Sequence, residues 1–165
     1  EHFDYVWKSA RRLGVPRADA DDVVQETFLT VFRLLDSHEP RGSVRAWLFS
    51  LLFGIVLRHR RSRRRRAALA FKSSIEALVG APARAPERDV ETNEIVRILE
   101  EILDKLPPDK RAALVLAEFE EKTVPEIADI LGIGVTSAAS RLRSARDHVK
   151  AGLAKRRARE GWRTA

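Results

Sequence analysis

The sequence predicts an all-α protein of two small helical domains joined by a linker, the second containing a helix-turn-helix. Three observations predict this. Apolar residues recur at i, i+3 and i+4 through most of the chain, and no useful length alternates with the period of a strand. That periodicity breaks over residues 67–90, where Pro82 and Pro86 stand among Ala, Gly and Arg. The stretch from Thr123 to Lys150 holds two helical patterns meeting at a glycine-containing corner. The expected boundaries are a first domain at 1–66, a linker at 67–90 and a second domain with a basic tail at 91–165.

Phe3 to Leu13 reads as a short amphipathic helix, with Phe3, Val6, Trp7, Ala10 and Leu13 on one side, interrupted by Gly14 and Pro16. Asp19, Asp21 and Asp22 open a stronger helix, where carboxylates suit the positive end of the dipole. Its expected inward stripe is Val23, Val24, Thr27, Phe28, Val31, Phe32 and Leu35, and Asp36 to Ser43 reads as a loop. A third helix is expected from Val44 to about Arg61, with Trp47, Leu48, Leu51, Leu52, Ile55 and Val56 facing inward. Phe49, Phe53 and Leu57 spread apolar character to its other side, so this helix is central in a bundle or covered by a partner. It runs into Arg58 to Arg66, seven arginines in nine positions, which reads as a phosphate-facing surface or a solvated helix end.

Within the linker, Phe71, Ile75, Leu78 and Val79 are apolar enough to lie on a partner surface. Helicity is expected again from Glu91, with Ile95, Ile98, Leu99, Ile102 and Leu103 inward, until Pro107 and Pro108 stop it. Asp109 is the expected cap of the next helix, whose Ala112, Val115, Leu116 and Phe119 repeat at helical spacing. Thr123 then caps a short helix in a capping box with Glu126, and Pro125 falls in its first turn. Ile127, Ala128, Ile130 and Leu131 form the apolar face, and Gly132 supplies a left-handed stop. The last helix begins near Thr136, with Ala138, Leu142, Ala145 and Val149 inward and Arg141, Arg143, Arg146 and Lys150 outward. Two helices, a tight turn and a basic outer face suggest a helix-turn-helix whose second helix enters a DNA major groove. The competing reading is an ordinary helical hairpin with a solvated charged face. The tail after Lys150 is expected to fray beyond Gly161.

A net charge of +7 and a pI near 10.3 suggest a polyanionic partner, either nucleic acid or an anionic membrane surface. The chain has no cysteine, which excludes disulfides, zinc ribbons and thiol catalysis. The longest apolar run, Trp47 to Leu57, is too short to span a bilayer, which needs about 20 apolar residues. No secretory signal precedes the first helix, and because the chain starts at Glu1, an N-terminal stretch is expected to be missing. A cytoplasmic location without membrane insertion is the simplest expectation. The four histidines, His2, His38, His59 and His148, are scattered without metal-ligand spacing. Asp19, Asp21 and Asp22 are better read as a helix start than as a metal site, and Glu118, Glu120 and Glu121 as a solvated helix end. There is no Gly-rich phosphate loop and no nucleophile elbow, so the expectation is no catalytic residue, no metal and no cofactor.

Three stretches, in order, carry a family resemblance. Asp21-Asp22-Val23-Val24-Gln25-Glu26-Thr27-Phe28 resembles the Asp-Leu-Val-Gln-Glu-Thr-Phe signature of extracytoplasmic-function (ECF) sigma factors of the sigma-70 family. Arg41-Gly42-Ser43-Val44-Arg45-Ala46-Trp47-Leu48-Phe49 is similar to the family's Arg-Gly-Ser-Phe-x-x-Trp-Leu-Tyr segment. Glu126 to Ile133, with Ser140-Arg141-Leu142 and Ala145-Arg146, resembles its C-terminal helix-turn-helix. The resemblance implies a promoter-specificity subunit of bacterial RNA polymerase. The first domain would bind the clamp helices of β′ and the −10 element, the second the −35 element and the β flap. The linker would run through the polymerase towards the RNA exit channel.

Carried onto this chain, the resemblance implies polymerase contacts at Asp22, Gln25, Glu26, Thr30 and Arg33. It implies −10 recognition and strand opening by Arg41, Ser43, Arg58, Arg60 and Arg61, and −35 recognition by Thr136, Ser137, Ser140, Arg141, Arg143 and Arg146. Trp47 could stack on a base, but its place in the apolar stripe favours the core. The resemblance also makes an anti-sigma protein a candidate partner, with the apolar surface at Phe49, Phe53 and Leu57 as the expected cover site. The chain departs from the family pattern at Gly54, where an Asn usually reads a −10 base, and at Arg58, where Asp is common. It also has Ala139 and Ser144 where the recognition helix often carries cations. Two other readings stand beside this one. The first is a stand-alone helix-turn-helix regulator binding an operator through 91–165. The second is a basic protein that binds RNA or a membrane surface through Arg58 to Arg66.

Overall fold

The computed structural model describes residues 2–35, 43–76 and 94–161. They form seven α-helices, and no strand occurs among the described residues. The helices are α1 (His2–Arg12), α2 (Arg17–Leu34), α3 (Val44–Glu76), α4 (Glu94–Leu103), α5 (Pro108–Phe119), α6 (Val124–Leu131) and α7 (Val135–Gly161). The chain divides into two compact units, one built from α1, α2 and α3, the other from α4 to α7.

In the first unit α2 packs along α3. The core comprises Val6 and Ala10 of α1, Ala20, Val23, Val24 and Thr27 of α2, and Leu48, Phe49, Leu52, Ile55 and Val56 of α3. Thr27 is accommodated there because its hydroxyl donates to the Val23 carbonyl at 2.8 Å. Phe3 stays at the rim, with its ring stacked on that of Phe28 at 6.2 Å.

Two stripes differ from the sequence expectation. Phe49 is fully buried, so it belongs to the core and cannot contribute to an apolar cover site for a partner. Trp47 and Leu51 flank that core half-buried. Leu48, Leu52, Ile55 and Val56 are buried as expected, and packing turns the face slightly, so that Phe49 joins them while Trp47 and Leu51 move to the margin. On α2 the reverse holds. Phe32 and Leu35, expected inward, are 77% and 57% exposed. The helix α3 also continues to Glu76, well past the expected end near Arg61. Arginine is a strong helix former, so the basic run propagates the helix instead of ending it. The expected loop over Asp36 to Gly42 and most of the linker, with Leu78 and Val79, lie outside the described residues.

In the second unit α7 is the central helix, packed by α4, α5 and α6. Its Ala138, Leu142 and Ala145 are buried against Ile102, Leu103, Leu106, Ala112, Val115, Leu116, Ile127 and Ala128. Val149 is half-buried. Phe119, expected inward, is 46% exposed. Helix α5 starts after Pro107 with Pro108 in its first turn, so Asp109 is a first-turn acid and not the cap. Beyond Lys150 the tail remains helical to Gly161. At Gly152 it passes α4 so closely that an added Cβ would lie 2.8 Å from Ile102 Cγ2. His148 Nε2, 3.2 Å from the Ile102 carbonyl, and Arg156, 3.5 Å from Glu94, flank that crossing. Among the described residues no helix is long and apolar enough to cross a membrane.

Candidate nucleic-acid interface

The corner between α6 and α7 is built by local chemistry. The Thr123 backbone N–H and hydroxyl both donate to Glu126 Oε2, at 2.8 and 2.7 Å, within a capping box at the start of α6. Those two donors, with the Lys122 ammonium at 3.2 Å, hold the Glu126 carboxyl at about 2, well below its ordinary 4.5. Pro125 sits in the first turn. Gly132 ends α6 at φ 64°, and the Ile133 N–H closes the turn on the Ala128 carbonyl at 2.9 Å. Gly134 supplies the first carbonyl of α7, which accepts from the Ala138 N–H at 3.0 Å. The second helix therefore starts at Val135, directly after the reversal, with Thr136, Ser137 and Ser140 exposed on its first turns. This is the part of a recognition helix that meets base edges.

The expected cations of α7 are not equivalent. Arg141 is half-buried, with Nε 3.2 Å from Asp109 Oδ2 of α5. Arg146 places Nε and Nη2 on Glu118 Oε1 of the same helix, at 2.9 and 2.8 Å. Glu118 is thus a partner of α7 and more than a solvated helix end. Arg143 is exposed and makes no ion pair with any described residue. At Ser144 an ammonium comes from elsewhere, since Lys110 Nζ of α5 donates to Ser144 Oγ at 2.8 Å. Spacing of i, i+3 and i+4 within α7 indicates its outer face, but the pairing with α5 depends on tertiary placement.

In the first unit, Asp22, Gln25, Glu26 and Arg33 are exposed on α2. Thr30 is half-buried, and its hydroxyl is occupied by the Glu26 carbonyl at 2.8 Å. Leu29 and Phe32, 51% and 77% exposed, fall on this same outer face. The recurrence 22, 25, 26, 29, 32, 33 is itself a helical stripe, but its mixed polarity hides it from apolar periodicity. Ser43 accepts the Ala46 N–H at 3.2 Å at the start of α3. Arg58 and Arg61 are exposed and Arg60 is half-buried, while Arg41 lies outside the described residues. Arg58 Nη2 pairs with Glu26 Oε1 at 3.0 Å. Gly54 is exposed, and a Cβ there would meet nothing within 4 Å.

The acids at the start of α2 are used separately. Trp7 Nε1 donates to Asp21 Oδ1 at 3.0 Å, and Asp19 lies 3.3 Å from Arg63. No group of His, Asp and Glu side chains among the described residues is placed to hold a metal ion.

A helix-turn-helix on one unit, with a basic helix on the other, is the architecture of a DNA-binding protein. Comparison with known proteins gives the class. Residues 1–66 match the family model for sigma-70 region 2, and residues 97–149 match that for sigma-70 region 4. ECF RNA polymerase sigma factor SigE of Mycolicibacterium smegmatis is 33% identical over 94% of this chain, which spans 60% of that relative's length. RNA polymerase sigma factor CnrH of Cupriavidus metallidurans is 33% identical over 87% of this chain and 78% of its own. Among solved structures, CnrH in complex with the cytosolic domain of CnrY superposes with a TM-score of 0.64 at 29% identity, over 93% of this chain and 83% of that one. The sigma factor RpoE of Bartonella quintana, in complex with the anti-sigma factor NepR, shares the fold, with a TM-score of 0.67 at 22% identity over 92% and 91% of the two chains. The chain belongs to the sigma-70 family, as an ECF sigma factor, a class of promoter-specificity subunits of RNA polymerase.

Proposed function

We propose that this chain directs bacterial RNA polymerase to promoters with −10 and −35 elements, and that it works in the cytoplasm without catalysing a reaction itself. The observation that carries this is that both family domains occur in one chain, in order, each folded around its own core. The outer face of α2, with Asp22, Gln25, Glu26, Leu29, Phe32 and Arg33, would dock on the β′ clamp helices. Exposed apolar side chains ringed by charges suit a protein interface. The basic end of α3, with Arg58, Arg60 and Arg61, would follow the phosphates of the opened −10 strand, together with Arg41 and Ser43. The second unit would place α7 in the major groove of the −35 element and meet the β flap. Thr136, Ser137, Ser140 and Arg143 would be directly available there, and Arg141 and Arg146 on exchange of their α5 carboxylates for phosphate.

Two solved sigma factors of this fold are complexes, one with the anti-sigma factor NepR and one with the cytosolic domain of CnrY, so an anti-sigma protein is an expected partner of this chain also.

The test is reconstitution. Core RNA polymerase given this chain should produce transcripts from discrete start sites that share upstream sequences. A chain that neither binds core polymerase nor selects start sites would refute the proposal. Binding of an operator by 91–165 alone, with full specificity and no polymerase, would favour the stand-alone regulator.

A further inference from the structure

We propose that Lys110, on α5 and outside the recognition helix, is a DNA-phosphate contact of the helix-turn-helix, with its ammonium delivered to the DNA-facing flank of α7 by Ser144. The inference rests on the reading that α7 enters a DNA groove.

Three observations carry it. First, Lys110 Nζ is anchored on Ser144 Oγ at 2.8 Å, a bond that fixes the position of the ammonium but leaves its charge intact, since a hydroxyl is neutral. Second, Lys110 makes no ion pair with any described residue, whereas its neighbours on α5, Asp109 and Glu118, pair with Arg141 and Arg146. Helix α5 thus gives carboxylates to two cations of α7 and one unneutralised cation of its own to the same helix. Third, Ser144 lies four residues after Ser140 and directly after Arg143, so it borders the exposed stripe of Thr136, Ser140 and Arg143. A phosphate that approaches Ser140 and Arg143 finds the Lys110 ammonium on the adjoining flank.

The chemistry is that of a phosphodiester. A lysine ammonium is a compact point charge suited to a phosphate oxygen, and on the flank of the recognition stripe it meets the backbone, whose contacts carry no sequence information. The side chain is half-buried and already tethered, so little rotamer freedom remains to be lost on binding. The Ser144 hydroxyl, accepting from Lys110, keeps its own proton to donate to the same or the next phosphate. Lys110 should therefore add affinity evenly across sequences, and Arg143 sequence preference.

The experiment uses the full chain and a duplex enriched by the wild-type chain from a randomised pool, with affinity measured from about 50 to about 200 mM salt. Lys110→Gln should weaken binding to the enriched and to unrelated duplexes alike, and lower the salt slope by about 0.9, the value of one phosphate contact on B-DNA. Lys110→Arg should keep the slope. In the double variant Lys110→Gln, Ser144→Arg the cation sits on α7 itself, and the slope should return. Circular dichroism of each variant separates loss of contact from loss of fold. A folded Lys110→Gln with unchanged slope and affinity, while Arg143→Ala still weakens binding, would overturn the role of Lys110 and leave the helix-turn-helix reading standing. If the wild-type chain enriches no duplex and Arg143→Ala changes nothing, both fall together.

Discussion

The same substitution at two helical glycines should move stability in opposite directions. Gly54 lies inside α3 and Gly152 inside α7, both in ordinary helical backbone. Replacing glycine by alanine in a helix interior gains about 0.5–1 kcal/mol, because alanine loses less backbone freedom on folding. At Gly54 a Cβ would meet nothing within 4 Å, so the whole gain should appear. At Gly152 a Cβ would lie 2.8, 2.9 and 3.0 Å from Ile102 Cγ2, Cγ1 and Cδ1. Only the last of these is the free end of the side chain. The other two are attached to Cβ and move only if χ1 turns or the helices separate, and isoleucine in a helix has one strongly preferred χ1. Overpacking a buried contact costs about 1–3 kcal/mol, which exceeds the propensity gain.

Gly54→Ala should therefore stabilise the first unit by about 0.5–1 kcal/mol, and Gly152→Ala should destabilise the second by about 1–2 kcal/mol. Native-state hydrogen exchange of the α2–α3 and α4–α7 amides reads the two units separately. In an Ile102→Ala background all three close atoms are gone, and Gly152→Ala should become stabilising, a coupling of about 2 kcal/mol across the pair. Stabilisation by Gly152→Ala in the wild-type background would show that Ile102 and α4 yield to the added methyl at no cost, and would refute the overpacking.

Three further outcomes can be checked directly. Arg143→Ala should weaken binding to the selected −35 duplex by about 1–3 kcal/mol if Arg143 reads a base, and an equal loss on every sequence would reassign it to phosphate. The capping box should respond to acid. The folded Glu126 carboxyl is held at about 2 against an ordinary 4.5, so its contribution is present above 4.5 and is lost as pH falls from there towards 2. In the folded chain the carboxyl carbon shift of Glu126 should titrate with its midpoint near 2 instead of 4.5, and Glu126→Gln should remove this part of the acid sensitivity. Phe32→Glu should leave the fold intact, because Phe32 is 77% exposed. It should weaken binding to core polymerase by about 2 kcal/mol or more if Phe32 is an anchor of that interface, as measured by competition for core polymerase.

What the sequence made legible was what neighbours along the chain decide. The Thr123–Glu126 box and the Gly132 stop involve residues within one turn, and spacing alone predicts them. The inner face of α7 was legible for the same reason, since its small residues and Leu142 leave one phase for packing. The phase of α3 was legible only in part: Leu48, Leu52, Ile55 and Val56 are inward as spacing predicts, but Trp47, Phe49, Phe53 and Leu57 put apolar groups around the helix, and packing decides that Phe49 is the one buried with them. Apolarity alone puts Phe32 in the core, but its position among Gln25, Leu29 and Arg33 places it opposite Val23 and Thr27. The cation pattern of α7 was the least legible part. Whether Arg141, Arg143 and Arg146 carry free charge depends on Asp109 and Glu118, some thirty residues earlier in the chain.

The pair Arg58–Glu26 joins the two surfaces proposed for the first unit, one for the opened strand and one for polymerase. Capture of Glu26 by polymerase would release Arg58 for phosphate, which invites the idea of a switch. Magnitude argues against a strong one. The side chains are 63% and 51% exposed, and an ion pair in such solvent contributes about 0–1 kcal/mol. By linkage, the two binding events can then favour each other through this pair by at most about fivefold. Arg61 and Arg63 to Arg66 are exposed along the continuation of α3, with Arg63 also 3.3 Å from Asp19. Their collective charge, and not the breaking of one exposed pair, is what a single strand of phosphates would meet first. Arg58→Gln should accordingly leave polymerase affinity within a few-fold of wild type, and a loss of tenfold or more would show that the pair is buried by the partner instead of exchanged.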